Sequence, residues 1–468
     1  MREAGESSLS GQPRRTERPE HDETAAPREK PALSLVPPQP SASEPPHPSA
    51  RSQRGLDWFI FFLADVQTGF GPFIAVYLTS QKWTQTDIGL VLSMSGIIAL
   101  ILQMPGGALV DWARRERLVA AVALMGIAAA ALTYALLPVF PMVAAAAAVH
   151  AAASCVLGPC VVAMSLGLVG HTAIGERLGR NARFASIGNG VAAAGMGAVG
   201  YLLSPRWVFF VTAALLIPAL LALGRIRPRE VDPELAHGGL VPDTPEHTPA
   251  PISTILHKAP LFILAGCVLT FHLANAAMLP LMGSVLTTRS SGEWATILIA
   301  TCIVVPQLIV ALISPWVGHN AQIFGRRPFL IAAFGALALR GTLFALVDNP
   351  YLLVAVQILD GITAASLGIM VPLMVTDITR GTGRLNLAQG IVGTAVGIGA
   401  SISPTLAGYL SDTFGSSVAF AGLAAIAAVG FAGVWALMPE TKIESARPRD
   451  SGDPEPGKER TGFPLARE

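Results

Sequence analysis

The sequence predicts an all-α membrane protein in which twelve transmembrane helices form two pseudo-symmetric six-helix bundles. Three observations support this fold class: an apolar composition, twelve apolar runs of membrane-crossing length, and an internal repeat. Of the 468 residues, 52% are hydrophobic and 13% are charged, and the mean hydropathy is +0.54. A soluble domain of ordinary composition is far less apolar. The formal net charge of +1 also provides no basic field for binding a nucleic acid.

The apolar runs are assigned by length. A membrane-crossing helix needs about 20 mostly apolar residues, because the hydrocarbon core is about 30 Å thick and each helical residue rises about 1.5 Å. The expected spans are 57–79, 87–110, 117–137, 141–169, 184–204, 206–225, 259–286, 294–317, 328–347, 350–376, 386–410 and 416–438.

Polar, Pro-rich segments divide and flank these runs. A connector at 226–258 separates an N-terminal bundle at 56–225 from a C-terminal bundle at 259–440. Residues 1–55 and 441–468 are rich in Pro, Ser, Glu and Arg, so we expect them to be disordered tails. The first tail lacks the pattern of a cleaved secretory signal, and the first span is therefore expected to be retained.

Arginine is concentrated in the short loops on one side of the expected bundle. If the N-terminus is cytoplasmic, ten arginines lie in short cytoplasmic loops, against three basic residues in the short loops opposite. This asymmetry predicts that both tails and the connector are cytoplasmic. Arginine also outnumbers lysine and alanine is abundant, as in GC-rich bacteria, so we expect a multi-pass protein of a bacterial inner (plasma) membrane. The ten arginines are Arg114, Arg115, Arg117, Arg177, Arg180, Arg183, Arg326, Arg327, Arg380 and Arg384.

Two turns at equivalent places carry related sequences. The turn after the second span reads "GGALVDWARRERL", and the turn after the eighth reads "GHNAQIFGRRPFL". Related six-helix halves are the internal symmetry expected of secondary transporters. An acid at the end of one helix is stabilised by basic side chains and by a neighbouring helix N-terminus, so Asp111 could hold one conformation. At an offset of 211 residues, Gly107, Asp111, Arg115 and Leu118 align with Gly318, Gln322, Arg326 and Phe329.

With these turns, the chain from about residue 55 to about residue 440 resembles the major facilitator superfamily, in its bacterial efflux-permease-like branch. The family's hallmark turn reads Gly, three residues, Asp, Arg, any residue, Gly, Arg and a basic residue. Gly107, Asp111 and Arg115 match this pattern, whereas Trp112, Arg114 and Glu116 depart from it. The second turn keeps Gly318, Gly325, Arg326 and Arg327 but has Gln322 in place of the acid.

The resemblance implies that both turns gate alternating access to a site at the membrane midplane. The matching residues, Asp111 and Arg115 above all, would then stabilise one conformation. In the alternative interpretation, the arginines of the turn only determine membrane topology.

Polar residues inside the spans form a second group of candidates. A charged group in hydrocarbon is expensive, and Asp65 lies within the first span. Asp65, Thr68, Gly69 and Pro72 have the i, i+3, i+4, i+7 spacing of one small and polar helix face, which should look into the bundle. In the family, spans one, four, seven and ten line a central cavity. The resemblance therefore implies a substrate cavity formed by Asp65, Thr68, His150, His272, Asn275, Gln357 and Asp360.

Proton coupling requires a group that can load and release a proton. Asp65 is the first candidate, followed by His272 and Asp360. Asp360 has an alternative role, because Arg340 in span nine is expected at a similar depth and could form a structural ion pair with it. His150 and His272 could also be neutral packing residues. Asp377, at the cytoplasmic end of span ten, is expected to hold a helix end rather than to carry protons.

Motifs of enzymes and of ATP-driven pumps are not found in the sequence. It contains no nucleotide-binding loop, nucleophile elbow or His-Glu-x-x-His motif. The four cysteines lie in apolar runs without metal-ligand spacing. We therefore expect neither an enzyme nor a bound cofactor or metal.

The resemblance implies a secondary active transporter, and we expect a monomer that exports a small, partly apolar organic molecule in exchange for protons. Gly390, Pro404 and Gly408 in span eleven approximate a pattern found in the family's antiporters. One alternative is a proton-coupled importer of a sugar, nucleoside or similar nutrient. A further alternative is a membrane receptor that has kept the fold without transporting.

Overall fold

The computed structural model describes residues 48–68, 71–239, 249–289 and 292–442. Most of the expected tails, at 1–47 and 443–468, and part of the connector, at 240–248, lie outside these ranges. Apart from turns and one 3₁₀ turn at Pro228–Glu230, the described chain is α-helical. The helices are α1 Ala50–Thr68, α2 Gly71–Ser80, α3 Gln85–Ala113, α4 Glu116–Leu136, α5 Phe140–Leu202, α6 Pro205–Arg225, α7 Pro233–Ala236, α8 Ile252–Leu256, α9 Ala259–Asn275, α10 Met278–Arg289, α11 Gly292–Phe324, α12 Arg327–Leu346, α13 Pro350–Thr379, α14 Leu385–Phe414 and α15 Ser416–Leu437.

Helix α5 reverses direction at Gly170. This residue has φ 68° and ψ 179°, a conformation open to glycine because it has no Cβ. The Asn181 amide donates a hydrogen bond of 2.8 Å to Ser165 Oγ. Residues sixteen positions apart in a straight helix are about 24 Å apart. The chain therefore doubles back at Gly170, and α5 consists of two arms that correspond to the expected fourth and fifth spans.

The first and seventh expected spans are each built from two helices. Helices α1 and α2 cover the first, and α9 and α10 cover the seventh. Helix α1 begins at Ala50, before the expected span, because a hydropathy criterion finds only the apolar part of a longer helix. Within the described residues, ten helices are long and apolar enough to cross a membrane. With α5 counted as two crossings and α1 with α2 as one, this number is consistent with twelve.

The internal repeat is visible in the backbone. Arg114 ends α3 with φ 46°, and Gly325 ends α11 with φ 96°. The two residues are separated by the same 211 positions that align the two turns. Both turns therefore use one left-handed residue to pass from helix to helix, although arginine occupies the first position, where the family has glycine.

Buried hydrophobic residues form two clusters. One lies within α1–α6 and the start of the connector, and we call this part the N-terminal half. The other lies mainly within α9–α15, the C-terminal half, and includes four residues of α5. The two clusters are in keeping with two bundles, whose boundaries stay predictions. We call the end of the molecule that carries the described connector residues the linker end, and the opposite end the far end.

Candidate functional site

At the linker end, α3 of one half meets the first turn of α14 of the other. Asp111 Oδ1 accepts hydrogen bonds from the Asn386 backbone N–H at 3.1 Å and from Asn386 Nδ2 at 2.8 Å. Its Oδ2 accepts a third, of 2.8 Å, from the Leu387 N–H. A Cβ on Gly107 would overlap the Asn386 carbonyl oxygen, so the close approach of the helices requires glycine. The expected contact between Asp111 and a neighbouring helix N-terminus is therefore present.

Arg115 is placed differently from the expectation. Its side chain is exposed, and among the described residues no hydrogen bond or ion pair joins it to Asp111. The Asp111 oxygens instead accept hydrogen bonds from Asn386 and Leu387 at the start of α14.

A second crossing, between α5 and α11, is the pseudo-symmetric counterpart. A Cβ on Gly318 would overlap the Gly175 carbonyl oxygen, and a Cβ on Gly179 would lie 2.5 Å from the Ser314 carbonyl oxygen. Gln322, which replaces the acid, has no hydrogen-bond partner for its buried Nε2. Instead, His319 Nδ1 lies 2.6 Å from Glu176 Oε1 beside this crossing. The second turn thus keeps the helix contact but not the acid that caps a helix.

Toward the far end, several glycines of these helices have open space around them. An added Cβ would meet no atom within 4 Å at Gly89 or Gly96 of α3, at Gly190 or Gly195 of α5, or at Gly408 of α14. The close helix approaches at Gly107, Gly175, Gly179 and Gly318 therefore lie near the connector, and the molecule is closed at the linker end.

The start of the connector also joins the two halves. His237 Nε2 lies 3.3 Å from the Val110 carbonyl oxygen and 3.5 Å from Glu116 Oε1, both in the N-terminal half. The His237 carbonyl accepts the Leu385 N–H at 3.1 Å, and the Gly238 carbonyl accepts the Gly381 N–H at 2.5 Å. The connector therefore hydrogen-bonds to both halves at the closed end. Sequence analysis missed this contact because the segment reads only as a polar linker.

Buried ion pairs hold each half together near the linker end. Asp57, which is 1% exposed, pairs with Arg177 at 2.6 Å and with Arg180. In the C-terminal half, Arg326 Nε donates a 2.8 Å hydrogen bond to Asp377 Oδ2. Arg177 and Arg180, which the sequence analysis assigned only to membrane topology, therefore form contacts inside the N-terminal half. The sequence did not indicate a role for Asp57, because it is the first residue of the expected first span and acids are common at the ends of spans.

The turn between α11 and α12 is stabilised by Glu440, which follows α15 near the C-terminal end of the described chain. The Glu440 carboxylate accepts the N–H groups of Arg326 at 2.8 Å and of Arg327 at 3.0 Å, and so caps the start of α12. A Cβ on Gly325 would lie 2.5 Å from a Glu440 oxygen. Gly325, Arg326 and Arg327 therefore have local structural contacts.

Two cavities adjoin at α13: the first lies between the halves, and the second lies within the C-terminal half. The first, of about 310 Å³, is lined by α1, both arms of α5 and α13. The second, of about 370 Å³, is lined by α9, α13 and α14. Gly368 and Pro372 of α13 line both. The polar lining residues are Gln67, Asn181 and Asn189 in the first cavity and His272, Asn275, Asp360 and Thr363 in the second.

Arg340 organises the polar end of the second cavity. Its Nη1 lies 2.5 Å from Asp360 Oδ1 and 2.7 Å from Asn275 Oδ1. The arginine side chain is 1% exposed, and the Asp360 side chain is 21% exposed. The ion pair considered for Arg340 and Asp360 is thus present, with the carboxylate between the cation and the cavity. His272 lies on the same wall.

Three expected cavity residues are placed elsewhere. Asp65 is buried but does not line either cavity, because Ile60, Ala64 and Gln67 form the lining face and Asp65 is rotated about 100° from Ala64. Its Oδ1 has no hydrogen-bond partner among the described residues.

His150 and Gln357 differ from expectation as well. The His150 Nε2 lies 3.2 Å from the Gln67 carbonyl oxygen, which ties its ring to α1. Gln357 is fully buried beside Cys302 and is not among the cavity-lining residues. The side chain of Thr68 lies outside the described residues. Sequence analysis missed the cavity-lining residues Gln67, Asn181 and Asn189. An uncharged amide in a helix can equally well pack against a neighbouring helix, so the sequence does not show that it lines a cavity.

Groups of three or more metal-ligating side chains are not found in the described parts of the chain. The cysteines Cys155, Cys160, Cys267 and Cys302 are buried and unpaired by disulfides. The site therefore consists of two adjoining cavities, whose charged lining residue is Asp360.

Comparison with known proteins identifies similar chains. The family model described as Major Facilitator Superfamily matches residues 58–319 and 273–466. Two Mycobacterium tuberculosis proteins, from strains CDC 1551 and H37Rv, are each 39% identical over 401 residues, which is 85% of this chain and 96% of theirs. Both carry the name uncharacterized MFS-type transporter.

Solved structures share the fold at low identity. The Escherichia coli fucose:proton symporter matches with a TM-score of 0.61 and 16% identity, covering 81% of this chain and 97% of its own. The human organic anion transporter TETRAN matches with a TM-score of 0.59 and 14% identity, covering 82% of this chain and 100% of its own. A further structure of the symporter, described as being in the outward conformation, has a TM-score of 0.60 and 15% identity, with coverage of 81% and 97%.

Proposed function

Since this chain belongs to the major facilitator superfamily and is a multi-pass membrane transporter rather than an enzyme, we propose that it exports a small organic molecule in exchange for protons. Energy comes from an ion gradient, and the two halves move about the central cavities by alternating access. The observation that carries the proposal is a cavity between the halves, adjoined by a second cavity in the C-terminal half, together with close contacts between the halves at the linker end.

Alternating access requires contacts that form at one end and break in each cycle. The Asp111 contact with α14, the Gly318 contact with α5 and the connector hydrogen bonds all lie at the linker end. We propose that these contacts open together when the linker end opens. Gly107, Asp111 and Gly318 act in this gate directly. Arg115 acts through topology, and Gly325, Arg326 and Arg327 support the turn.

Proton coupling is assigned first to Asp65. Its buried Oδ1 has no partner among the described residues, and an unpaired carboxylate in a low-dielectric interior is expensive. Binding of a proton removes that cost, so a change in the surroundings of Asp65 can load or release a proton. His272 and Asp360 are second candidates, because both line the second cavity. The pairing of Asp360 with Arg340 makes it the less suited of the two.

The cavity chemistry supports a partly apolar solute. The second cavity combines apolar side chains with an imidazole, an amide, a hydroxyl and one carboxylate that is already paired. A highly charged solute would find no unpaired charge of opposite sign on this wall, whereas an amphipathic molecule finds both kinds of contact. Asn275 and Asp360 would hydrogen-bond its polar end. The neighbouring cavity adds Gln67.

The sidedness follows from the arginine distribution. We propose that the linker end and both tails are cytoplasmic, that the membrane is a bacterial inner membrane, and that the protein acts as a monomer. The described structure is then closed toward the cytoplasm.

Flux measurements in proteoliposomes test this proposal. An imposed pH gradient should drive movement of at least one solute from a panel of dyes, antibiotics and sugars, in the direction opposite to the protons. Asp65→Asn should abolish gradient-driven movement while downhill exchange survives, and the exposed Asp412→Asn should behave as the native chain does. Solute moving with the protons would support the importer instead. Gradient-driven transport that persists in Asp65→Asn contradicts the assignment of Asp65.

A further inference from the structure

Two open grooves flank the linker end of α6 on the outer surface of the N-terminal half. The α4–α6 groove, of about 600 Å³, lies between α4, α6 and the start of the connector. The α1–α6 groove, of about 690 Å³, lies between α1 and α6. Leu220 and Gly224 line both, so the grooves adjoin across α6. An added Cβ on Gly224 would meet no atom within 4 Å, which leaves an open passage over this turn of the helix.

Each groove has an apolar wall and an arginine-rich mouth. The α4–α6 groove is lined by Arg114, Arg115 and Arg117, and the α1–α6 groove by Arg51 and Arg225. Among the described residues none of these five guanidinium groups makes a hydrogen bond or an ion pair, and Arg117 Nε is buried without a partner. Glu116 lines the α4–α6 groove, and its Oε1 lies 3.5 Å from His237 Nε2.

The mouths lie at the helix ends, where lipid headgroups meet the protein. In the α4–α6 groove the arginines occupy the end of α3 and the first turn of α4, and Leu118 and Leu223 continue the wall along the helices. Trp58, 47% exposed, lines the α1–α6 groove, and tryptophan favours the interface between headgroups and hydrocarbon. Positive charge above an apolar channel complements a phosphate joined to acyl chains.

We propose that these two grooves form a binding site for an anionic phospholipid. The arginines at the mouths hold the phosphate, and the acyl chains lie along α6 over Gly224. Arginine suits this role because its planar guanidinium group donates paired hydrogen bonds to phosphate oxygens. The inference depends on the chain being a membrane protein and is independent of its substrate, of coupling and of transport direction.

Native mass spectrometry of the purified full-length chain tests this site. The detergent-solubilised protein is titrated with dioleoyl-phosphatidylglycerol, with the zwitterionic dioleoyl-phosphatidylcholine, and with soluble glycerol phosphate. Half-saturation by the anionic lipid should need about tenfold less lipid than by the zwitterionic one, since each interfacial arginine contributes roughly a fewfold preference. Glycerol phosphate should not displace the anionic lipid, because it lacks acyl chains.

Variants separate the headgroup contacts from the groove. Arg114→Gln with Arg117→Gln, and Arg51→Gln with Arg225→Gln, should each reduce the preference for the anionic lipid severalfold. Gly224→Leu, which fills the passage without changing charge, should weaken both lipids. The matched control, Arg54→Gln with Arg229→Gln, removes two exposed arginines that line neither groove and should leave the preference unchanged.

Three outcomes would overturn the proposal. Equal binding of the two lipids removes the headgroup selectivity. Competition by glycerol phosphate indicates a soluble anion site instead. If the control pair loses as much preference for the anionic lipid as the groove pairs do, the preference comes from the general positive charge of this end and not from the grooves. Monodisperse size-exclusion profiles of all variants ensure that a loss of lipid reports binding rather than unfolding.

Discussion

The Asp111 carboxylate accepts both the backbone N–H and the side-chain amide of Asn386, 275 residues later in the chain and in the opposite half. A third hydrogen bond comes from Leu387. An acid at a helix N-terminus satisfies N–H groups that lack intrahelical partners and interacts favourably with the helix dipole. This cap exists only while α3 and α14 stay together, so its free energy favours the closed linker end.

Replacing Asp111 should shift the molecule toward an open linker end. Asp111→Ala removes three charge-assisted hydrogen bonds, and we expect it to weaken the closed state by about 2–4 kcal/mol. Labelling of a cysteine at Gln103, which faces α14, should become faster in this variant. Asp111→Asn keeps an acceptor and should give an intermediate rate. Unchanged labelling in both variants would mean that the cap does not hold the gate.

Gly107 should be intolerant of even a methyl group. Gly107→Ala places a Cβ against the Asn386 carbonyl, which is backbone and cannot rotate away, and we expect a cost of about 1–3 kcal/mol to the closed state. The control is Gly96→Ala on the same helix, where the added Cβ meets nothing within 4 Å. Transport rates and linker-end labelling should change in the first variant only. Equal effects of the two substitutions would refute the steric explanation.

The pair of Arg340 and Asp360 should be sensitive to loss of one partner but not of both. Arg340→Met or Asp360→Leu alone leaves an unpaired charge, and we expect a loss of about 3–5 kcal/mol of stability. The double variant, with two apolar side chains, should recover much of it. Thermal unfolding of the purified proteins in one detergent measures this. Two additive losses in the double variant would contradict a coupled buried pair.

The connector should detach from α1 in acid. Partial desolvation raises the pKa of Glu230, but hydrogen bonds from Ser52, Ser49 and Arg227 outweigh this and lower it to about 2. A depressed pKa means that the contact stabilises the folded state above about pH 4.5. The stabilisation is lost as the pH falls from about 4.5 toward 2. The protection factors of the amides at 49–54, which are the ratios of the intrinsic to the observed exchange rate at each pH, should therefore fall over that range. Glu230→Gln should show low protection factors at every pH, and a native chain whose protection factors stay constant contradicts the role of Glu230.

Helix content and the pseudo-repeat could be predicted from sequence because both leave periodic signals. Apolar length located the helices, and the 211-residue offset located two turns that share a left-handed residue. Contacts between distant segments leave no such signal. The pairing of Asp57 with Arg177, and the docking of His237 against both halves, depend on tertiary packing that no local pattern encodes.

The candidate site likewise contains residues that could be predicted from the sequence and residues that could not. The wall containing His272, Asn275 and Asp360 was predictable, because polar residues in apolar helices rarely face lipid. The placement of Asp65 was not, since a rotation of one residue, about 100°, moves a side chain from the cavity wall to a helix interface. Amides such as Gln67 and Asn181 were missed because they resemble ordinary packing residues in sequence.

The central claim is that the two ends of the molecule open alternately. Spin labels at Trp112 and Phe324 report the linker end, and labels at Tyr201 and Phe414 report the far end; all four side chains are at least 60% exposed. Pulsed electron paramagnetic resonance in nanodiscs should show two distances for each pair. Asp111→Ala should lengthen the distance at the linker end and shorten the distance at the far end. Lowering the pH should likewise change the two distances in opposite directions. A single unchanged distance at both ends, in a preparation that transports, would contradict the account.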